Sequence, residues 1–254
     1  MSAQTLSSSY LVNIQTVQGT SIKVLFDSLR DILTDVNIHF TKERMWLKAM
    51  DSSHVALIYL CLEGENFETY VCNANDVVCG VNMTSLSKLI KTITPQDTVS
   101  FKVRTGAPDK MEICISNSTK NSQSISVLNL LDINEDTYDV PDVKYDSVIK
   151  IPSGDFQKNC RDLSSIGETV RITSKSNELR FESKGDFATQ SIVMGVSGES
   201  SIIQSSHGGK DVTEEFSLKY LNMFTKSTNL GSIVELYFAN NRPMIALYKV
   251  GNLG

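Results

Sequence analysis

Long apolar runs are missing from this 254-residue sequence. A membrane helix needs about 20 consecutive apolar residues. The longest run here, Val55 to Leu62, has the length of one buried strand. Met1 to Ser9 carry neither the basic nor the apolar region of a secretory signal, so an intracellular protein is expected. Cysteine is scarce and odd in number: Cys61, Cys72, Cys79, Cys114 and Cys160, with no C-x-x-C pair. A disulfide scaffold or a zinc site is therefore not expected. Cys61 and Cys114 sit in apolar, strand-like runs and read as buried thiols. The sequons at Asn82 and Asn117 read as chance in such a chain.

Catalytic constellations are missing too. Asp51-Ser-Ser-His54 holds an acid, a hydroxyl and a histidine, but a triad needs them to converge from separate elements. In an extended segment alternate residues would face apart. His39 lies in a strand-like run and His207 in a loop, His207-Gly-Gly-Lys-Asp211, without the Walker spacing. Glu214-Glu215 reads as a solvated pair at a strand start. No metal cluster and no cofactor motif stand out, and no enzymatic activity is expected. Positive charge is in deficit as well: 24 Lys and Arg against 29 Asp and Glu give a net charge of −5. On the average alone, this is a poor nucleic-acid binder.

What is present is ordinary globular composition, 41% hydrophobic and 21% charged, with room for one large domain or two. Strand patterns dominate. Thr98 to Arg104 alternates so that Val99, Phe101 and Val103 share a face, and 178–182 and 232–238 read alike. Further candidates are 45–50, 55–62, 111–115, 145–151, 170–174, 187–194 and 243–249. Four segments switch to helical periodicity: 21–33, 84–93, 153–164 and 217–226, with Thr84 and Ser153 as expected N-caps. They fall as two pairs, each helix followed by strands, which makes a repeated helix-plus-meander unit. The acidic, aperiodic stretch from Asp132 to Asp142 reads as a connector. The expected domains are thus 1–131 (1–9 a polar, disordered extension) and 143–254, joined by 132–142.

The distribution of charge reverses what its average implies. The helices carry Lys23 and Arg30, Lys88 and Lys91, Lys158 and Arg161, and Lys219 and Lys226. Spacings of three and seven keep each pair on one helical face. Any one helix could simply be solvated there, but four repeats in an acidic chain point to one basic surface.

Four segments carry a specific resemblance: Leu47-Lys-Ala-Met-Asp-Ser-Ser-His-Val55, Gly80 to Lys91, Ile151 to Gly167, and Lys219-Tyr-Leu-Asn-Met-Phe-Thr-Lys226. Each resembles the proliferating cell nuclear antigen family of eukaryotic sliding clamps, and the similarity runs from Gly19 to Gly254. The resemblance implies an α+β fold of two similar clamp domains, each with two helices packed on antiparallel sheets. It implies a homotrimeric ring that encircles duplex DNA, with the eight basic residues above facing the hole. Such a ring is a processivity factor: it tethers DNA polymerases and repair enzymes and slides without sequence preference. Phosphate contacts from Lys and Arg read no bases, which suits sliding. An ATP-driven clamp loader is the implied partner for ring opening. The nucleus, or a viral replication compartment for a virus-encoded member, is the implied location.

The resemblance also implies two protein-binding surfaces. One captures short partner peptides, a glutamine followed by an aliphatic and two aromatic residues, in an apolar cleft under the connector. The matching positions are Met50, His54, Val55, Leu57, Tyr138, Val140, Pro141, Tyr145, Pro243 and Ile245. The other closes the ring by pairing edge strands near Ser124–Leu128 and Thr189–Met194, with Ile125, Val127, Ile192 and Met194 as contacts. Family members continue for about a strand and an acidic tail past the position of Gly254. The connector here is about two residues longer than is usual, with Tyr138 where an aliphatic residue is common. The second reading is one subunit of a heterotrimeric checkpoint-type clamp, which would lack self-complementary edges or an intact peptide cleft.

Overall fold

A computed structural model of the chain describes residues 9–134, 138, 144–175, 178–195, 203–206 and 211–254, without the side chains of 203–206. The chain divides into two compact units. One comprises Met1–Asp139 together with Val250–Gly254, and the other Val140–Lys249.

The first unit runs β1 (Tyr10–Thr16), α1 (Gly19–Arg30), β2 (Asp35–Phe40), β3 (Arg44–Met50), β4 (Leu57–Glu63), β5 (Thr69–Cys72), β6 (Val77–Asn82), α2 (Met83–Ile90), β7 (Asp97–Arg104), β8 (Ala107–Asn117) and β9 (Ser122–Asn129). Its strands form two antiparallel sheets, ordered β5-β1-β7-β8-β9 and β4-β3-β2-β6. The second unit runs β10 (Ser147–Pro152), α3 (Ser153–Ser164), β11 (Thr169–Ser174), β12 (Glu178–Lys184), β13 (Thr189–Gly195), β14 (Ile203–Ser206), β15 (Val212–Ser217), α4 (Leu218–Phe224), β16 (Ile233–Phe238) and β17 (Ile245–Tyr248). Its sheets are ordered β14-β10-β16-β17 and β13-β12-β11-β15. Element for element, the second unit repeats the first as far as β8. The repeat expected from the sequence is therefore a repeat of topology.

Each core lies between a helix pair and the sheets. In the first unit, Ile22, Leu25, Phe26 and Leu29 of α1 are buried, and so are Leu86 and Ile90 of α2. Val99, Phe101 and Val103 of β7 are buried as well, on the face that their alternation predicts. In the second, Phe156, Cys160 and Leu163 of α3 and Leu218 and Leu221 of α4 join Ile149, Ile151, Leu236 and Phe238 in one cluster. Burying a side chain of this size stabilises by about 1.5–3 kcal/mol.

The helix ends depart from the sequence reading in instructive ways. The apolar stripe of α1 continues to Leu33, but the amides of Ile32 and Leu33 both turn to the carbonyl of Leu29 (3.0 and 2.8 Å), and this tightening ends the helix at Arg30. Thr84 is not the cap of α2. Asn82 is, its side chain accepting from the amide of Ser85 at 2.9 Å. Ser153 is the first residue of α3 rather than its cap, and its hydroxyl donates to the carbonyl of Gly231 at 2.8 Å. The fourth helix stops at Phe224, and a 3₁₀ turn, Thr225–Leu230, carries Lys226. Cys114 is buried as expected, whereas Cys61 is half-buried; all five thiols are free.

The cap of α2 provides a direct check. Asn82→Ala should lower stability by about 1 kcal/mol, read as a shift in the urea midpoint, while Thr84→Ala should leave it within about 0.5 kcal/mol.

Candidate functional site

In the first unit α1 and α2 pack side by side. This places four basic residues on the pair, in unequal states. Lys23 is half-buried and donates to the carbonyl of Ile93 at 3.4 Å. Arg30 is held by Asp31 (3.3 Å), Asp27 (3.7 Å) and the hydroxyl of Ser87 (3.1 Å). Lys88 and Lys91 are exposed and meet no carboxylate among the described residues. They sit in the last turn and at the C-cap of α2, where the helix dipole favours cations.

The corner that follows Lys91 is fixed by one carboxylate. Asp97 accepts from the amide and hydroxyl of Thr94 (2.7 and 2.9 Å) and from the side-chain amide of Asn117 (2.6 Å). The Thr94 amide first, and Asn117 next, hold its carboxyl below the ordinary aspartate range.

In the second unit α3 and α4 repeat the pairing. Lys158 and Arg161 are exposed and share Asp162, at 3.5 and 3.9 Å. Exposed pairs of this kind are worth about 0–1 kcal/mol, so either cation can exchange its partner for a phosphate. Lys219 is exposed over the ring of Tyr220, 5.7 Å from its centroid. Lys226 is exposed on the 3₁₀ turn.

The partner-peptide positions fall in both units. In the first, Met50 and Leu57 are cross-strand partners at the end of the β3–β4 hairpin. Between them the chain forms a turn, not the extended segment expected from Asp51-Ser-Ser-His54. Asp51 is buried and accepts from the amides of Ser53 (3.0 Å), Val55 (2.8 Å) and Ala56 (2.8 Å). Its carboxylate thus serves the backbone. His54 takes a positive φ of 54°, and Val55 stands 63% exposed at the tip.

The start of the connector is tied to the same sheet. Leu131 bridges Gly80 of β6, its amide donating to the Gly80 carbonyl at 2.8 Å. The side chain of Asn37 on β2 donates to the carbonyl of Ile133 at 3.1 Å, and Lys48 on β3 donates to that of Tyr138. A Cβ at position 80 would stand 2.2 Å from the Leu131 carbonyl oxygen, so only glycine lets the connector lie here. Val140 and Pro141 lie outside the described residues, as does His207.

In the second unit Ile245 pairs with Tyr237, and Tyr145 meets the Tyr237 ring at 5.7 Å between centroids. Ile245 and Pro243 are exposed. This brings Tyr145 and Ile245 into one apolar patch on β16 and β17. Glu214 and Glu215 lie within β15 and serve structure: Glu214 accepts from the Asn241 amide and Glu215 faces Arg171 at 3.6 Å.

The four expected contact residues split. Ile125 and Val127 point outward from β9, 59% and 55% exposed. Ile192 and Met194 point inward from β13 and pack against the core of the second unit, Met194 accepting from Asn159 of α3. The outward residue between them is Val193, 53% exposed. Both strands are sheet edges among the described residues, and neither carries a charged side chain.

Sequence reasoning missed Asn37, Lys48 and Gly80 as connector supports. An isolated glycine inside the strand run Val77-Val-Cys-Gly-Val-Asn82 was the available signal.

A duplicated α+β unit, with paired helices bearing exposed cations and uncharged sheet edges, has the architecture of a sliding clamp. Comparison with known proteins agrees over nearly the whole chain. Residues 11–139 match the N-terminal domain of proliferating cell nuclear antigen, and residues 139–254 its C-terminal domain. A protein of Paramecium bursaria Chlorella virus 1, named "Probable DNA polymerase sliding clamp 1", is 35% identical over 248 residues, 96% of this chain and 94% of the relative. The chain belongs to the proliferating cell nuclear antigen family.

Two tests follow from this geometry. A carboxyl with a depressed folded pKa contributes stability above its unfolded value, about 3.9, and loses that contribution as pH falls through the folded value. Protection of the amides of residues 91–97, corrected for intrinsic exchange, should accordingly fall as pH drops below about 4, and Asp97→Asn should remove that acid step. Separately, Gly80→Val should displace the connector. Trypsin cleavage at Lys144 should accelerate with little change in thermal midpoint, and an unchanged cleavage rate would show that Gly80 does not hold it.

Proposed function

We propose that the chain works as a DNA sliding clamp: three copies closed head to tail around duplex DNA, holding DNA polymerase to its template. The observation that carries this reading is the doubled helix pair, which presents exposed lysines on both units of an acidic chain. A few cations with mobile side chains attract the phosphate backbone without reading sequence. The net charge of −5 discourages DNA elsewhere on the surface. Retention then rests on ring closure rather than on affinity, and a clamp that bound tightly could not slide.

In this reading the role is non-catalytic and needs no cofactor. An ATP-dependent loader opens the ring. Polymerase and repair proteins dock through short peptides on Met50, His54, Val55 and Leu57 of one unit, Tyr145, Pro243 and Ile245 of the other, and the connector with Tyr138, Val140 and Pro141. Aromatic side chains from the peptide would fill apolar surface, the mode in which a few anchors supply most of the affinity. The protein would act where DNA is replicated, in a nucleus or a viral replication compartment.

The eight basic residues are not equal in this scheme. Arg30, Lys158 and Arg161, although exposed, each have a carboxylate within 4 Å, whereas exposed Lys88 and Lys91 meet none among the described residues. Replacing Lys88 and Lys91 by alanine should reduce the salt dependence of DNA binding by about 0.9 in log–log slope for each phosphate no longer neutralised. Replacing Lys158 and Arg161 should have a smaller effect. The ring is tested by solution mass: three chains of 28.1 kDa give a species near 84 kDa. A chain that stays monomeric at every concentration would refute self-closure and redirect attention to a mixed ring.

A further inference from the structure

In the second unit the face of β10, β16 and β17 turned away from the core carries a fixed aromatic ring, that of Tyr237. Val148, Tyr237 and Ile245 stand in one cross-strand row, and Lys150, Glu235 and Leu247 in the next. The residues that alternate with them, Ile149, Leu236, Phe238 and Ala246, pack into the core. Lys150 donates to one oxygen of Glu235 at 2.8 Å, and the Tyr237 hydroxyl donates to the other, also at 2.8 Å. These bonds, that of Lys150 first, hold the Glu235 carboxyl below the ordinary glutamate range. Tyr237 is thus tied at its polar end, while its ring meets Tyr145 edge-on, at 69° and 5.7 Å between centroids. The Lys150–Glu235 pair cancels its own charge. What remains for a partner is apolar: the two tyrosine rings, with exposed Ile245 and Leu247 beside them. A ring whose position is already set loses little freedom when it is covered.

One end of this surface is cationic. The chain passes from β16 to β17 through a turn in which Asn241 takes a positive φ of 57° and its amide donates to Glu214 of β15. The Arg242 amide donates to the carbonyl of Ala239 at 3.2 Å and closes the turn. Arg242 and Pro243 follow, both exposed. Among the described residues Arg242 forms no ion pair. Its guanidinium lies near the Tyr145 phenol: burial raises that phenol, and Arg242 opposes the rise. An aromatic floor with a guanidinium at its rim is complementary to an aromatic side chain that has a carboxylate for a neighbour.

We propose that this face sets the sequence preference of the docking site, favouring partner peptides with an acidic residue next to their aromatic pair. Tyr237 is the floor on which one of the peptide's rings lies, and Arg242 takes the neighbouring carboxylate. The proposal rests on the peptide-docking reading above and adds to it a charge preference and two contact residues, Tyr237 and Arg242.

Fluorescence anisotropy on the full chain tests it, with two labelled synthetic peptides. Each contains a glutamine, a leucine and two phenylalanines, and they differ only in an aspartate or a lysine beside the phenylalanines. At low salt the aspartate peptide should bind the parent chain about fivefold more tightly, the value of one well-placed exposed ion pair. Arg242→Glu, an exposed change, should invert that order. Tyr237→Ala should weaken both peptides by about tenfold or more, the loss expected of an aromatic anchor. Tyr237→Phe keeps the ring and should weaken them less. Equal or reversed affinities for the parent, or an order that Arg242→Glu leaves unchanged, would overturn the charge preference. Unchanged affinity in Tyr237→Ala would overturn the floor. If neither peptide binds the parent chain, the docking reading itself fails, and that result needs no variant.

Discussion

The apolar stripe on each helix decides which side chains are left for water. Once Ile22, Phe26 and Leu29 of α1 and Leu86 and Ile90 of α2 are committed to the core, only the remaining positions of the pair face water. Lys88 and Lys91 are outward because their neighbours are inward. The same holds for Lys158 and Arg161 around Phe156, Cys160 and Leu163. The basic face of each helix pair is in this sense a by-product of core packing, maintained by residues on the opposite side of the helix.

Much of the fold was legible because it rests on periodicity. The four helices, the alternation in β7 and the two-fold repeat all follow from where apolar residues recur. The candidate ranges omit β1 and β6, Tyr10-Leu-Val-Asn-Ile-Gln-Thr16 and Val77-Val-Cys-Gly-Val-Asn82, although both are rich in strand-forming residues. β2 and β15 read only as a strand-like run and a strand start, because Asp-Val-Asn-Ile-His-Phe and Val-Thr-Glu-Glu-Phe-Ser mix polar residues into the pattern. His39 is buried there by stacking on Trp46 and bonding to Asp76, contacts between strands that no local window contains. Helix ends were less legible still. Asn82 and Thr84 are both acceptable caps by type, and only the position of the Ser85 amide chooses between them.

Site residues divided along the same line. Residue type picks out lysines well, but partner geometry decides whether they are available. Arg30 looks equivalent to Lys88 in sequence and is instead engaged by Asp27, Asp31 and Ser87. At the edge strands a resemblance located the segment, and the two-residue period of a strand then decided which side chains it could offer. Ile192 and Val193 differ by one position and by the whole thickness of the sheet. Asp51 shows the converse: a carboxylate beside a histidine suggests chemistry until its lone pairs are found to be occupied by three backbone amides.

Residues Val250–Gly254 return the chain to the first unit, where Leu253 is fully buried and its carbonyl accepts from the amide of Glu63 and the side chain of Asn66 at 3.1 and 3.2 Å. The polypeptide therefore passes from one unit to the other and back. The first unit, taken as a continuous fragment, does not contain all of its own fold. Cut within the connector, the second piece would carry away part of the first, as one half of a split reporter does, and the two would have a built-in reason to find one another again.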